Sequence, residues 1–461
     1  MSNYVLGIDI GSSEIRAVMS KRDDTNKLSV VGIGKVKSNG VKKGIITNIE
    51  QATSSIQQAV LEATKMAGKR YDKVIVSLSG AYVKSIKARG TITNPDNEIG
   101  IKEIKRVMQV AEDIAKKSGD IPKDYVKLHV LPYNFKVDEQ DSIEDPLGMS
   151  GEKLEVFTHI IIAPESAIKN LTRAVENAGI KIDNIVLSGY ASSISTLTSD
   201  EKALGVVLID MGGSTCDIVI HVGNSLIYND ILSVGSSNIT NDLSQAIHTP
   251  FPSAEEIKLT YRELEHDGEK TISFPVLGEN DTTKEVSLDI ILNVIFPRIE
   301  ETFVILSNKL KNSGYIDKIG AGIVLTGGMV KLDDVKEVAE RIFSGSVRVA
   351  KPRNITSAIS EITRDSANSC VIGLCMYGFG EFTPYEIDSN GELRYKEEIE
   401  KFQNHSEDTY NRELDNSINE IEINNGDREK VGDMSLPELP EKMSFSQRLS
   451  NLWEKFKRLY S

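Results

Sequence analysis

Two stretches of this chain repeat one plan, and the repeat limits the available folds more than any local pattern does. "VLGIDIGSSEIRAVMS" occupies Val5 to Ser20, and "VVLIDMGGSTCDIVIHV" occupies Val206 to Val222. Each has an apolar strand, an aspartate, a turn of small residues and a second strand that runs back. The copies lie about 200 residues apart, which is too far for a solenoid repeat. We therefore predict a duplicated core with one such hairpin in each half.

The rest of the first 380 residues fits that core. Short β-branched runs alternate with amphipathic helical patterns from Tyr4 to about Gly380, which predicts α/β layers. A chain of 461 residues, 39% of them apolar, is long enough to bury at least two cores.

Charge and cysteine content exclude several classes of protein. A formal net charge of −14 argues against a broad nucleic-acid surface, because phosphate binding depends on clustered Lys and Arg. Cys216, Cys370 and Cys375 lack metal-ligand spacing, and nothing before Tyr4 resembles a leader peptide, so we expect a reducing cytosol. No segment approaches the roughly 20 apolar residues that span a bilayer. Any membrane contact should therefore be peripheral.

The two hairpins have the chemistry of a phosphate site. Asp9 and Asp210 each stand two residues before a flexible turn, and a carboxylate at the end of a buried strand needs water, a partner or a metal. Glycines let backbone N–H groups approach phosphate, hydroxyls add donors, and carboxylates hold Mg²⁺ through water. One copy alone is most often a plain turn, but a pair facing across a cleft would grip phosphates from both sides. The turns consist of Gly11, Ser12 and Ser13 in the first copy and Gly212, Gly213, Ser214 and Thr215 in the second.

Two further turns fit the rest of a nucleotide. "VLTGGMV" (Val324 to Val330) ends a strand with two glycines, which is either an ordinary strand-to-helix connection or a close approach to a base or ribose. "SVGSSNITNDLSQAI" (Ser233 to Ile247) has similar turn chemistry before a helix, on which Asn238 and Asp242 share a face.

The order and spacing of these motifs resemble the actin/Hsp70 ATPase superfamily, and within it the FtsA family. Most similar to that family are "VGSSNITNDLSQAIHTPFPSAEEIKLTYR", "AGIVLTGGMVKLDDV" and "CVIGLCMYG". The resemblance covers about Tyr4 to Gly380 and the last helix. It implies an actin-like duplicated ATPase fold with two lobes, in which subdomain 1C replaces the actin subdomain 1B. The implied ranges are 1–81, 163–204 and the end of 317–380 for 1A, 82–162 for 1C, 205–252 and the start of 317–380 for 2A, and 253–316 for 2B.

The resemblance also implies a ligand set of ATP and Mg²⁺. Asp9 and Asp210 would lie near the magnesium and hold it through water, beside the phosphate turns named above. Lys258 has a solvated helix position as its alternative. The residues implied to surround ribose and adenine are Gly235, Asn238, Asp242, Lys258, Gly327, Gly328 and Met329.

Two departures from the superfamily pattern stand out. Many relatives have Gly-Gly where this chain has Gly235-Ser236. In "DNIVLSGYASSIST" (Asp183 to Thr196), brisk ATPases of the superfamily place a Gln or Glu that orients the attacking water, whereas Asn184 and Ser188 occupy the candidate catalytic positions here. Because water orientation sets the rate in such enzymes, we expect weak ATPase activity, with ATP acting mainly as a conformational ligand.

A long helix offers a protein-binding surface. "LDIILNVIFPRIEETFVILSNKLKN" (Leu288 to Asn312) matches the part of 2B that in FtsA receives the C-terminal peptide of FtsZ. Arg298 and Glu301 lie one turn apart and would offer that peptide one charge of each sign. The alternative is a solvated ion pair worth a few tenths of a kcal/mol.

The chain changes character after Gly380. The segment 381–440 holds 17 acidic residues against 6 basic ones and few apolar residues, so we predict a disordered acidic linker. An amphipathic helix at 441–461 should follow, opened by the capping-box pair Ser444 and Gln447.

The last helix has the layout of a membrane-surface helix, although docking on a protein would use the same periodicity. Its apolar side chains fall within an arc of about 120°, with basic residues at the flanks that reach anionic lipid. The apolar set is Phe445, Leu449, Leu452, Trp453, Phe456, Leu459 and Tyr460, and the flanking set is Arg448, Lys455 and Lys457.

These features together predict an ATP-binding cell-division protein that polymerises and tethers FtsZ filaments to the membrane. We expect it on the cytoplasmic side of the cell membrane at the septum, with other division proteins as further partners. A PilM-like scaffold of pilus assembly and, less in keeping with the tail, a small-molecule kinase are the alternatives. An Hsp70-like chaperone is disfavoured, because no β-sandwich peptide-binding domain follows Gly380.

Overall fold

Three β-sheets organise the chain, and two of them are built alike. The structure is a computed structural model that describes residues 4–23, 26–94, 98–266, 270–278, 282–357 and 365–395. All of these residues fall within one compact unit.

The first sheet contains the first hairpin. Its strand order is β11-β6-β1-β2-β3-β19, with β1, β2 and β3 antiparallel and the outer strands β6, β11 and β19 parallel to their neighbours. Its strands are β1 (Val5–Ile10), β2 (Glu14–Arg22), β3 (Leu28–Lys37), β6 (Lys73–Leu78), β11 (Asn184–Leu187) and β19 (Ile355–Ser357). Between β3 and β6 lie the short pair β4 (Val41–Lys42) and β5 (Ile45–Ile46).

A second sheet repeats that plan around the second hairpin. Its order is β14-β13-β12-β17-β18, again with three antiparallel strands followed by two parallel ones. The strands are β12 (Val206–Met211), β13 (Cys216–Val222), β14 (Ser225–Leu232), β17 (Ile323–Thr326) and β18 (Val347–Val349). The predicted duplicated core is therefore confirmed by strand order and direction.

The third sheet is antiparallel and lies between the two copies in the sequence. Its order is β21-β20-β8-β10-β7, and β9 pairs with β8. Its strands are β7 (Lys84–Thr93), β8 (Tyr125–Val137), β9 (Gln140–Ile143), β10 (Lys153–Pro164), β20 (Glu386–Ile387) and β21 (Leu393–Arg394). A separate pair is formed by β15 (Thr271–Pro275) and β16 (Thr283–Ser287).

Helices cover the sheets, and each sheet has its own apolar core. The helix predicted after the Gly235 turn and the one predicted from Leu288 to Asn312 are confirmed as α6 and α8. The helices are α1 (Ile49–Ala67), α2 (Ile101–Lys117), α3 (Glu165–Asn177), α4 (Ser188–Thr196), α5 (Ser199–Leu204), α6 (Ser236–Ile247), α7 (Phe251–His266), α8 (Leu288–Ser313), α9 (Val335–Phe343) and α10 (Ser369–Gly378). Three-residue 3₁₀ turns occupy Ile316–Lys318, Met329–Lys331 and Ser366–Asn368.

The folded body continues beyond the predicted start of the linker. Residues 381–395 were assigned to a disordered linker, but β20 and β21 form a hairpin that joins the third sheet through Ile387 and Val130. The error arose because the acidic composition of 381–440 hid a short buried segment in which Glu386 has three hydrogen-bonding partners. The remainder of the predicted linker and the predicted helix at 441–461 lie outside the described residues.

Candidate functional site

The two predicted phosphate turns face each other. A Cβ added to Gly213 would overlap the Ser13 hydroxyl, so the tips of the two hairpins are in contact through a position that requires glycine. The second turn closes on itself through Gly212 N–H, which donates to Thr215 O at 2.8 Å. The first turn is tied to a neighbouring loop by Gly44 N–H, which donates to Ser12 Oγ at 2.9 Å.

Two of the aspartates near these turns are strongly perturbed. Burial raises the pKa of Asp210 to about 6, against the lowering effect of the Ser192 hydroxyl, and the Asp9 charge raises it further. Burial and the charge of Asp210 raise the pKa of Asp217 to about 7. A bound cation would relieve this repulsion, so the carboxylates fit a magnesium ion held through water.

Serine hydroxyls hold all three carboxylates. Ser77 Oγ donates to Asp9 Oδ1 at 2.8 Å, and Ser192 Oγ donates to Asp210 Oδ2. Asp217 accepts from Ser188 Oγ at 3.0 Å and from Ser79 Oγ at 3.3 Å. Within the described ranges, no three His, Cys, Asp or Glu side chains form a direct metal cage. The magnesium site at Asp9 and Asp210 therefore stays a prediction.

The Gly235 turn packs against the second hairpin. Ser236 N–H donates to Gly212 O at 3.1 Å and Ser237 N–H donates to Gly213 O at 2.8 Å, while a Cβ on Gly235 would overlap that backbone. Asn238 Oδ1 accepts from Gly235 N–H at 3.1 Å, so the predicted ribose ligand also caps α6.

The two glycines of the Gly-Gly turn differ in the space around them, since Gly327 is tightly packed and Gly328 is open. Gly327 has a φ of +94°, and a Cβ there would overlap Asp210 Oδ1. Gly328 is exposed, and an added Cβ would meet only Ala367 Cβ at 3.8 Å, so this face has room for a flat group. Met329 is 1% exposed and lies in the apolar core of the second sheet, and its contact with adenine stays a prediction.

Lys258 is buried beside the Gly235 turn rather than solvated. Only 2% of its surface is exposed, and its Nζ donates to both Glu255 oxygens at 2.8 Å, to Thr240 Oγ1 at 3.1 Å and to Ser236 O at 3.4 Å. Burial lowers the pKa of Lys258, and Glu255 opposes that shift. The solvated alternative is wrong.

The candidate catalytic residues separate into two roles. Asn184 donates to Asp388 Oδ2 at 2.7 Å and accepts from Ser389 Oγ at 2.7 Å. Asn184 is the first residue of β11 and lies three residues before the carboxyl end of that strand, where the site is located. Its prediction as a water-orienting residue is therefore wrong, and its side chain instead fixes the segment around Asp388. Ser188 does reach the site, where it holds Asp217.

Asp242 and Arg298 were assigned to different sites but form one ion pair. Arg298 Nε donates to Asp242 Oδ2 at 2.6 Å, and its Nη1 donates to Glu301 Oε2 at 2.6 Å. One oxygen of the carboxylate predicted to contact ribose therefore accepts from the helix predicted to bind FtsZ, because α6 and α8 pack side by side. Asp242 links the two regions, and its contact with ribose stays a prediction.

Two residues of the site were missed by sequence reasoning. The register pairs Asp9 with Arg16 in the first hairpin and Asp210 with Asp217 in the second. The side chain of Arg16 is 13% exposed, its Nη1 donates to Ala367 O at 2.6 Å, and its buried Nε has no partner among the described residues. The signal was available, because a tight antiparallel hairpin places the residue seven positions on directly opposite the aspartate.

No membrane-crossing helix exists in the part of the chain that the structure describes, since none of those helices combines sufficient length with sufficient apolar character. The predicted membrane-binding residues, from Phe445 to Tyr460, lie outside that part.

Known proteins with similar sequences share one description. The family model described as "Cell division protein FtsA" matches residues 207–373, and that described as "SHS2 domain inserted in FTSA" matches residues 80–162. A "Cell division protein FtsA" of Helicobacter pylori is 36% identical over 470 residues, covering 95% of this chain and 92% of the relative. One of Pseudomonas aeruginosa is 37% identical over 378 residues, covering 81% of this chain and 89% of the relative.

A solved structure gives the fold. The "PilM-PilN type IV pilus biogenesis complex" matches with a TM-score of 0.58 and 16% identity, covering 81% of this chain and 98% of that chain. Together with the duplicated sheets and facing hairpins, this match makes the chain a mixed α/β protein of actin-like fold. The sequence relatives identify the family as well as the fold. The chain belongs to the FtsA family of cell division proteins.

Proposed function

We propose that the chain binds ATP with Mg²⁺ between the two hairpins. The single observation that carries this proposal is the contact of Ser13 with Gly213 beside three carboxylates. The turn residues at 11–13 and 212–215 would donate to phosphate oxygens, and Arg16 would add a positive charge. Asp9, Asp210 and Asp217 would hold the ion through water, and the ion would neutralise phosphate charge when bound.

The adenosine end of the ligand would lie against the open side of the second lobe. Gly328 leaves space for a flat ring, and the Gly235 turn approaches the second phosphate hairpin. Lys258, whose Nζ donates to Ser236 O at 3.4 Å, and its partner Glu255 border that turn and would be charged contacts for a ribose placed there.

Turnover should be slow. Asp217 is the carboxyl in this site whose pKa, about 7, suits it to accept a proton near neutral pH. Ser188 and Ser79 orient it, but the position where brisk relatives carry a Gln or Glu is held by a serine that is already donating to Asp217. ATP would then act chiefly as a conformational ligand that favours assembly.

The cellular role that fits the family is attachment of FtsZ filaments to the membrane. The chain would polymerise like actin, bind the C-terminal peptide of FtsZ at Arg298 and Glu301 on α8, and recruit other division proteins at the septum. The helix at 441–461 would hold it peripherally on anionic lipid, on the cytoplasmic face. The first sheet would be 1A, the third sheet 1C, the second sheet 2A, and the segment 253–316 subdomain 2B.

Co-sedimentation with anionic liposomes and FtsZ tests this proposal. The full chain should carry FtsZ into the liposome pellet when ATP and Mg²⁺ are present, and a chain ending at Pro440 should leave both proteins in the supernatant. The shortened chain is the matched control, because it keeps every residue of the proposed ATP and FtsZ sites. Equal pelleting of FtsZ by the two chains would contradict membrane tethering by the tail.

A further inference from the structure

The short helix α4 is held on two opposite sides by polar contacts. Ser188 and Ser192 lie four residues apart, so they share the face that meets Asp217 and Asp210. Tyr190 lies about 200° around the helix from Ser188 and points the other way. All nine residues of α4 are buried in close-packed surroundings, so the helix moves as one body. A displacement caused by contacts on one face therefore also moves the side chains on the opposite face.

Glu386 from the C-terminal hairpin is the centre of the opposite side. Its side chain is fully buried, and Tyr190 Oη donates to its Oε2 at 2.8 Å. Tyr377 Oη, from α10, donates to its Oε1. Burial acts to raise the pKa of Glu386, but the hydrogen bond from His129 and the charge of Arg394 outweigh it and leave the pKa below the usual range.

His129 extends this contact to the residue that precedes α4. Leu187 N–H donates to His129 Nε2 at 3.2 Å, and His129 Nδ1 lies 3.1 Å from Glu386 Oε1. A backbone N–H can only donate, so Nε2 carries no proton and Nδ1–H donates to the carboxylate. One tautomer satisfies both contacts, and Glu386 is joined to α4 both directly and through the histidine.

The hairpin that presents Glu386 is itself fixed. The guanidinium of Arg394 lies over the rings of Tyr377 at 4.1 Å and Phe382 at 4.2 Å, and its Nη2 donates to Tyr377 O at 3.1 Å. Thr383 N–H donates to Tyr190 Oη at 2.7 Å, which adds a second contact between this segment and α4.

We propose that Glu386 is a positioning residue for the nucleotide site, acting through Tyr190 and His129 to set the hydroxyls of Ser188 and Ser192 against Asp217 and Asp210. The proposal rests on the proposed nucleotide site. It gives the hairpin at 385–394 an effect on ATP binding although Glu386 itself contacts neither aspartate.

Dependence on Mg²⁺ separates positioning from a general structural effect. Ser188 and Ser192 hold the two carboxylates proposed to bind the ion through water, so displacement of these hydroxyls should weaken binding of ATP with Mg²⁺ more than binding of ATP alone. The other groups facing the pair are Asp9 on β1, Arg16 on β2, Ser79 after β6, and Cys216 and Cys370 on β13 and α10.

The test is calorimetric titration of the full chain with ATP at pH 7, with and without Mg²⁺, for the unaltered protein and for Glu386→Gln. We expect the affinity of the variant for MgATP to fall about fivefold and its affinity for ATP without Mg²⁺ to change by less than about twofold. The matched control is Glu112→Gln, which neutralises another buried carboxylate, located on α2 and paired with Lys116 and Lys127. The control should bind like the unaltered chain under both conditions.

A second variant covers poor folding of the first. Tyr190→Phe removes the hydroxyl that links α4 to Glu386, and it should lower the affinity for MgATP in the same Mg²⁺-dependent way by a smaller amount. Unchanged affinity, or an equal loss with and without Mg²⁺, in the folded variants would overturn the positioning role. No MgATP binding by the unaltered chain would instead contradict the proposed function, and the inference with it.

Discussion

Asp210 and Asp217 face each other across the second hairpin, and their burial makes the body of the protein sensitive to pH. An acid whose folded pKa is raised binds more protons when folded than when unfolded between the two pKa values, so stability falls as pH rises through that window. For Asp217 the window runs from 3.8 to about 7. At neutral pH, ionisation of Asp217 therefore lowers the free energy of unfolding, unless a bound cation stabilises the ionised carboxylate.

Asp217→Asn tests this dependence. Without nucleotide, we expect the unaltered protein to lose on the order of 2 kcal/mol of unfolding free energy relative to the variant between pH 5 and pH 8, because the amide does not titrate. Urea unfolding at the two pH values measures the difference. Glu112→Gln is the control and should leave the slope between pH 5 and pH 8 nearly unchanged. Burial acts to raise the pKa of Glu112, but hydrogen bonds from Lys116 and Lys127 outweigh it and hold the pKa below its usual value of 4.5, so this carboxyl stays ionised across the range. Parallel slopes for the Asp217→Asn and unaltered proteins would refute the assignment.

Gly328→Ala separates ligand contact from folding. Gly328 is exposed with a φ of −72°, and a methyl group has room there in the protein alone, so stability should change by less than about 0.5 kcal/mol. If adenosine lies on this face, MgATP affinity should fall about tenfold or more by titration calorimetry. The control is Gly345→Ala, an exposed loop glycine whose Cβ would meet only Phe343 O at 3.7 Å. Unchanged affinity in both variants would place the base elsewhere.

At the scale of residues, the sequence was informative where chemistry and spacing coincide. The turn residues and Asp9 could be predicted because small residues and an aspartate recur at one spacing in both hairpins. Asp217 and Arg16 were missed although each stands seven positions after its aspartate, because that spacing is informative only if the hairpin register is worked out. Asn184 was misassigned because its partner Asp388 is distant in sequence, and the ion pair of Asp242 with Arg298 was not foreseen for the same reason.

Among the elements, α4 and α10 matter most because they cross at the base of the site. Gly373 of α10 packs directly on the backbone of α4, where a Cβ would overlap Ala191 O. The two helices therefore approach more closely than side chains would permit, and α4 has little freedom to shift against α10.

Gly373→Ala should be strongly destabilising for that reason. We expect a loss of about 1–3 kcal/mol or more in unfolding free energy by urea titration, since the obstructing group is backbone and cannot rotate away. Gly345→Ala again provides the control and should change stability little. A loss below about 0.5 kcal/mol would mean that the helices separate easily.

Periodicity made α2, α6 and α8 predictable, since each has apolar residues at helical spacing over three or more turns. The hairpin of β20 and β21 was not predictable in this way. Its strands have two residues each, and its central residue is a glutamate that is stable in the interior only because His129, Tyr190 and Tyr377 donate to it.

For the whole molecule, the duplicated sheets follow from the sequence repeat, whereas the proposed membrane binding would depend on the tail and on assembly. A single amphipathic helix gives reversible attachment, because ordering and immobilisation offset much of the gain from burial. An assembly that presents many tails would bind far more tightly through effective concentration.

The expected consequence is a steep concentration dependence. With ATP and Mg²⁺, the liposome-bound fraction of the full chain should rise more sharply with protein concentration than a hyperbola, and without ATP it should follow a hyperbola at higher concentration. Co-sedimentation over a concentration series measures both curves. Identical hyperbolic curves would refute the coupling of assembly to attachment.

The packing of Arg394 against Tyr377 and Phe382 also bears on how this body would respond to tension. A pull on the chain beyond Tyr395 would peel β21 from β20, a geometry in which hydrogen bonds break one after another and resist weakly. The guanidinium, 4.1 Å from the Tyr377 ring and 4.2 Å from the Phe382 ring, would add a side-chain contact that resists opening of the bond from Tyr385 N–H to Arg394 O at 2.9 Å. If the protein assembles as proposed, this contact would protect the segment that presents Glu386 from a load applied through the tail.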